Sequence, residues 1–203
     1  MWARIDDTMA RQIRRIRPIR RADADADTRA IADQIERDFG AFVPPFALHA
    51  VVPLALAACW TMLRETLVTV SVDRLRKEAV ASGVSRLNDC TYCVDAHTAA
   101  LHALGDAATA DALATSDTAD GVASALAPLI AWAFATRTPD APILRTPPFA
   151  PAEAPELVAM AFCFHYINRL VAIFLTSSPM PFTSPRLKGW ARRALSPMLG
   201  AGS

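Results

Sequence analysis

The chain has 203 residues, with 21 lysines and arginines against 20 aspartates and glutamates, for a net charge of +1. That length suits one compact domain spanning 1–203, and 53% hydrophobic residues beside 20% charged exclude global disorder. The balanced charge gives no strong pull toward nucleic acid or anionic lipid, and a chain rich in Ala, Leu and Arg with only 7 glycines points to an all-α protein.

Residues 1–22 form a basic arm carrying Arg11, Arg14, Arg15, Arg17, Arg20 and Arg21, offset by the acids Asp23, Asp25 and Asp27. A solvated or subunit-packing segment is expected there. The arm has no continuous apolar core or small-residue cleavage site, and Asp6 and Asp7 argue against an organelle transit peptide. With four cysteines and no sign of export, a cytoplasmic location is expected. Ile31, Ile35 and Phe39 recur every four residues and stop at Gly40, the pattern of an amphipathic helix with a glycine C-cap. Pro44-Pro45 marks a turn and a short helical piece through His49. Pro53 opens a longer helix holding Cys59, Trp60, Met62 and Leu63, and divides the uncharged stretch 39–63 into pieces too short for the roughly 20 residues of a membrane span. The β-branched run from Leu67 to Val72 is left unassigned between extended chain and helix tail.

Asp73 predicts an N-cap for a helix reaching about Leu87, with Leu75, Val80, Val84 and Leu87 at helical spacing. Asn88-Asp89 interrupts it and is expected to cap the next helix, which holds Cys90, Cys93, His97, Leu101 and Leu104 and ends at Gly105. A short helix is expected after Asp106, then an apolar one from about Asp120 to Ala135 that Pro128 should kink or divide. Residues 138–155 read as a proline-rich loop. Pro155 then starts a long helix to Leu175, too polar at His165, Asn168 and Arg169 to be read as a membrane span, and a last short helix including Trp190 is expected from Pro185.

The chemistry lies between Glu78 and His97, where an acid, two thiols and an imidazole occupy twenty residues of helix, turn and helix. At 100° per residue, Cys90, Cys93 and His97 fall within about 60° of one another on one helix face. If Asn88-Asp89 reverses the chain, Glu78 and His97 reach similar depth, and Glu78 can orient and polarise the imidazole. Thiol redox chemistry needs a thiolate, and an ordinary cysteine near pKa ~8.5 is mostly protonated at neutral pH. The positive end of the helix and the imidazole beyond Cys93 are candidates for lowering that value. A second thiol three residues away supplies a resolving partner for a sulfenic acid. The same four residues also have the composition of a zinc site, and a zinc-binding or redox-sensing interaction module is the rival reading. Attachment of a c-type haem fails because Val94, not histidine, follows Cys93.

The stretch KEAVASGVSRLNDCTYCVDAHTAALHALG, from Lys77 to Gly105, resembles the alkylhydroperoxidase D and carboxymuconolactone decarboxylase superfamily, in particular its peroxidase-related branch. The motif core is 73–105. The resemblance implies an all-α, alkylhydroperoxidase D-like helical bundle assembled as a trimer or another homo-oligomer. It also implies a thiol-dependent peroxidase with no metal or other cofactor, whose partners are a peroxide and a thiol or dithiol reductant. Carried over by position, Cys93 is the residue oxidised to sulfenic acid, Cys90 the proton donor and disulfide partner, and His97 with Glu78 the proton relay. The best-known family pattern has a histidine between the cysteines where this chain has Tyr92, which predicts a simpler relay and a slower rate. True decarboxylases of the superfamily lack the cysteine pair, so decarboxylation fits poorly.

Elsewhere, His165, Tyr166, Asn168 and Arg169 lie within little more than one turn, either as a satisfied polar stripe or as a contribution to a site mouth in this or a neighbouring subunit. Cys59 and Cys163 read as small buried hydrophobes, His102 as a surface residue, and Trp60, Trp132 and Trp190 as core or interface anchors.

Overall fold

The structure is a computed structural model, and it describes residues 11–68, 71–116, 118–119, 122, 125–176 and 178–179. Helix α1 spans Ala26–Phe39, with Asp25 accepting from the Thr28 amide at 2.7 Å at its start and Gly40 at φ 92° closing its end. That left-handed position is what glycine supplies without steric cost. Helix α2 is Pro44–His49 and α3 is Pro53–Leu63, each with proline in its first turn. The chain from α3 continues as a wide π-type turn, Arg64–Val68. This replaces the first part of the run left unassigned between extended chain and helix tail, and residues 69 and 70 of that run lie outside the described residues.

Helix α4, Arg74–Leu87, begins at Asp73 as its spacing predicts, the carboxylate accepting from the Leu75 amide at 2.7 Å. Helix α5 is Thr91–Ala103 and α6 is Ala107–Thr115, the latter capped by Asp106. Neither Asn88 nor Asp89 caps α5. Asp89 instead takes φ 52°, the left-handed conformation that aspartate tolerates better than most residues, and this reverses the chain and leaves Cys90 at the N-cap. Helix α7, Ala127–Ala135, is shorter than the predicted 120–135, and Pro128 opens it rather than kinking it. The first turn of a helix has no use for the amide hydrogen that proline lacks, so proline fits there. The proline-rich segment is not wholly loop, because Pro142–Arg145 makes one helical turn, α8. Helix α9 is Ala154–Phe174. Trp190 and the first ten residues of the basic arm lie outside the described residues.

Among the described residues there is no strand element; Ile13 and Leu175 form an isolated antiparallel bridge. With the 2.6 Å bond from the Arg14 amide to the Phe174 carbonyl, it fastens the basic arm to the end of α9. Arg21 of the same arm pairs with Asp33 and Glu36 of α1, so part of its charge is answered within the chain.

Helix α4 is central, packing on α5, α7 and α9, and every residue from Lys77 to Ser85 is buried. Its Val80, Ala81 and Val84 join the main core with Phe46, Trp60, Leu157, Met160 and Phe164. Ala79 faces a second cluster with Leu101, Ala110, Leu113 and Ile130. By length and composition α9 is apolar enough to cross a membrane, contrary to the expectation from its polar residues. Within the bundle it is a core helix: Leu157, Met160, Cys163, Phe164, Ile167 and Val171 are buried, and Asn168 is satisfied by side chains of α4 and the following turn.

Candidate active site

Cys90 and Cys93 are both buried and both free. Cys90 stands at the N-cap of α5 without a side-chain hydrogen bond to the cap amides, and the neighbouring Cys93 thiol and amide favour charge on its sulfur. These donors, with a further bond from the Asn168 side chain, lower the Cys90 pKa although burial opposes the shift. Cys93 goes the other way. Its hydrogen bond to Cys90, its burial and the proximity of a Cys90 charge raise it well above the ordinary thiol value. The two sulfurs titrate as a pair in which ionisation is easier at Cys90 than at Cys93. Sequence reasoning placed the polarising groups near Cys93 and missed this asymmetry.

One turn further along α5, His97 Nδ1 lies 2.7 Å from Glu78 Oε2. Burial would raise the Glu78 pKa, but His97 and then Arg74 more than offset it, and Glu78 is held below the ordinary carboxylate value. As a carboxylate it accepts, so His97 carries a hydrogen on Nδ1, and in the neutral ring Nε2 is left to take up a proton. Phe164 packs edge-on against the imidazole, with ring centroids 4.5 Å apart. Arg74, absent from the sequence reading, donates from Nε to Glu78 Oε1 at 2.8 Å. Its position four residues before Glu78 on one helix was the available signal.

Tyr92 stands where the resembled pattern has a histidine. Burial, and then the charges of Cys93 and Cys90, push its phenol upward, and its hydroxyl donates to Gln12 Oε1 of the basic arm at 2.8 Å. From α9, Asn168 reaches the thiols and His165 joins Asn88, whereas Tyr166 turns to His49 Nε2 at 2.9 Å and Arg169 to the His165 carbonyl at 2.9 Å. His102 is buried, not a surface residue, because α6 folds back and brings Asp111 Oδ1 to 3.0 Å from its Nε2. Cys59 and Cys163 are buried, and burial pushes each thiol to about 12. Trp60 and Trp132 are core residues, set edge-on to Phe46 and Phe149. Among the described residues no three His, Cys, Asp or Glu side chains converge to hold a metal ion, so the donor geometry does not favour the zinc reading.

The chain is 37% identical over 182 residues to an alkyl hydroperoxide reductase of Mycobacterium tuberculosis, a match covering 90% of this chain and 52% of that protein. The chain is thus similar, along most of its own length, to a protein of the alkyl hydroperoxide reductase type. It spans about half the length of the curated relative it matches. A peroxidase-related protein from Ralstonia eutropha JMP134, described as an alkylhydroperoxidase AhpD core, superposes with a TM-score of 0.63 at 20% identity, covering 79% of this chain and 89% of that one. A second peroxidase-related protein, from Silicibacter sp. TM1040, gives 0.60 at 22% identity over 74% and 85% of the two chains. No protein-family model matches the sequence. The all-helical bundle is thus the alkylhydroperoxidase D fold, with α4 and α5 as the hairpin that carries the motif.

Proposed function

We propose that the protein is a thiol-dependent peroxidase that reduces a peroxide through Cys90 and Cys93 and needs no metal or other cofactor. The observation that carries this reading is the pair of buried free cysteines at the start of α5, with the Glu78-oriented His97 one turn beyond it.

Cys93 passes its proton across the sulfur–sulfur hydrogen bond to Cys90 and becomes the nucleophile. Its thiolate attacks the terminal oxygen of the peroxide; a sulfur–oxygen bond forms, the oxygen–oxygen bond breaks, and the departing alkoxide takes the proton from Cys90. The Cys90 thiolate then attacks the Cys93 sulfenic acid. The disulfide forms, and the expelled hydroxide leaves as water with a proton delivered through His97. Two electrons pass from the thiol pair to the peroxide, and an external thiol or dithiol restores them. A cytoplasmic location, with its reducing pool, suits that last step. Homo-oligomeric assembly belongs to the same proposal and is supported by the apolar outer face of α9, where Val158, Phe162, Tyr166 and Ile173 are exposed along one stripe.

Mass spectrometry after one equivalent of peroxide tests the mechanism. Wild-type protein should form a Cys90–Cys93 disulfide, and its absence would end the proposal. Cys93→Ser should abolish peroxide-dependent oxidation. Cys90→Ser should react once, leaving a sulfenic acid on Cys93 that a dimedone-type probe labels, without turning over. A dimedone adduct on Cys90 in the Cys93→Ser variant would reverse the two roles.

A further inference from the structure

A second polar chain approaches the cysteine pair from α7 and α9, and the direction of every hydrogen in it follows link by link. Thr136 Oγ1 donates its one hydrogen to the Ala133 carbonyl at 2.7 Å, so in its 2.8 Å contact with His165 Nε2 it accepts. Burial, and then the charges of Arg169 and Arg137, hold the His165 pKa below its ordinary value, which keeps the ring neutral. The ring proton is therefore on Nε2, and the Nδ1 lone pair accepts from Asn88 Nδ2 at 3.1 Å. The other hydrogen of that amide goes to Asn168 Oδ1 at 3.0 Å. With its oxygen turned to Asn88, Asn168 presents its nitrogen to α4 and the thiols. Nδ2 donates one hydrogen to Ser85 Oγ at 3.1 Å, which leaves its other hydrogen for the cysteine pair, where Asn168 lowers the pKa of both thiols. Asn168 is only 2% exposed, so water does not compete for these bonds.

We propose that Asn168 is a thiolate-stabilising residue of the cysteine pair, and that Asn88 is the positioning residue that keeps the Asn168 amide nitrogen, rather than its oxygen, turned to the sulfurs. Because Asn168 reaches both sulfurs, it stabilises the charge on either one and eases its passage from Cys90 to Cys93. A donor fixed before the reaction does this without reorganising. A reversed amide would set a carbonyl oxygen against a thiolate. The inference rests on the thiol chemistry proposed above, but its test does not require peroxide turnover.

The experiment is a pH titration of thiolate by ultraviolet absorbance, with circular dichroism to establish that each variant is folded. Cys59 and Cys163, pushed to about 12, stay silent in the range where the pair titrates. Asn168→Leu, close in volume and lacking donors, should move the midpoint up by about one pH unit. Asn168→Asp, which replaces the donor with an acceptor, should move it further, and Asn88→Ala should move it less than Asn168→Leu. Alkylation by iodoacetamide at neutral pH should slow by about tenfold in Asn168→Leu, in step with the lost thiolate. If Asn168→Leu does not fold, Asn168→Ala and Asn88→Ala are read in the same way. A purely structural Asn168 would lower the melting temperature and leave the titration midpoint where it is, and an unchanged midpoint in the folded variants overturns the inference. A wild type that never consumes peroxide, beside a midpoint that still depends on Asn168, would overturn the peroxidase reading while supporting this one.

Discussion

At the residue scale the site is governed by where charge is allowed to rest. Cys90 and Cys93 have the same chemistry and nearly the same burial, yet one pKa falls and the other rises, because the Cys93 thiol and amide favour charge on the Cys90 sulfur. In the proposed mechanism the His97–Glu78 pair delivers a proton, and that role depends on Glu78 staying ionised beside Arg74. Replacing His97 by Ala or Glu78 by Gln should therefore slow peroxide-dependent oxidation by about 10² to 10⁴-fold, the range expected for lost general acid–base help, as stopped-flow assays would measure. The same charges set the response to acid. Burial holds His49 and His165 below the ordinary histidine value of 6.5. The unfolded chain then takes up protons before the folded one, so stability is full above about 6.5 and is lost as the pH falls toward the folded values. Glu78, held below its ordinary 4.5, adds a second loss as the pH falls through its folded value. Urea midpoints should drop as the pH goes from above 6.5 to about one unit below it, and the slope should be shallower in His49→Gln.

At the element scale, the hairpin of α4 and α5 works because α4 is small enough to be surrounded. Gly83 sits where α4 crosses α7, and a Cβ placed there would lie 3.0 Å from Ala133 Cβ, which has no flexible end to move aside. Alanine at 83 gains helix propensity of about 0.5–1 kcal/mol, but overpacking at such a contact costs about 1–3 kcal/mol. Gly83→Ala should therefore destabilise the protein by about 1 kcal/mol. Adding Ala133→Gly should relieve the contact, so that a double-mutant cycle by urea denaturation gives a favourable coupling between the two positions. Equal effects of Gly83→Ala in the presence and absence of Ala133→Gly would show that the crossing has room to spare. The turn between the two helices matters as much as their contact. Asp89 in the left-handed conformation decides that Cys90, and not a residue one place earlier, occupies the cap.

On the scale of the whole molecule, the apolar residues left on the surface are not scattered. Phe162 is 69% exposed, and Val158, Tyr166 and Ile173 continue its stripe along α9. Grouped exposure of this kind marks an association surface more often than a free one. Light scattering should give a mass above that of one chain at micromolar concentration, and Phe162→Glu should shift it toward the single chain while leaving the helical content unchanged. A wild-type protein that is a single chain under those conditions removes the assembly proposal but does not touch the cysteine pair, whose described contacts all lie within one chain.

The sequence by itself determined whatever depends on near neighbours. Apolar periodicity with the stop at Gly40, the cap Asp73 and the break at Asp106 were enough to locate α1, α4 and α6, and the spacing of Cys90, Cys93 and His97 was enough to put the three on one helix face. The helical bundle and the family resemblance could be read from those residues, because helix formation and motif spacing are local. It misplaced the start of α7, where a proline inside an apolar run reads equally well as an interruption or as a first turn until the packing is known. His102 was misjudged as a surface residue because the helix that buries it comes later in the chain. Only the tertiary structure could show the amide that faces the two thiols, since Asn168 lies some 75 residues away and is oriented through Asn88, His165 and Thr136. Such a chain of hydrogen bonds has no period and no motif; it exists only because α9 lies across the turn between α4 and α5.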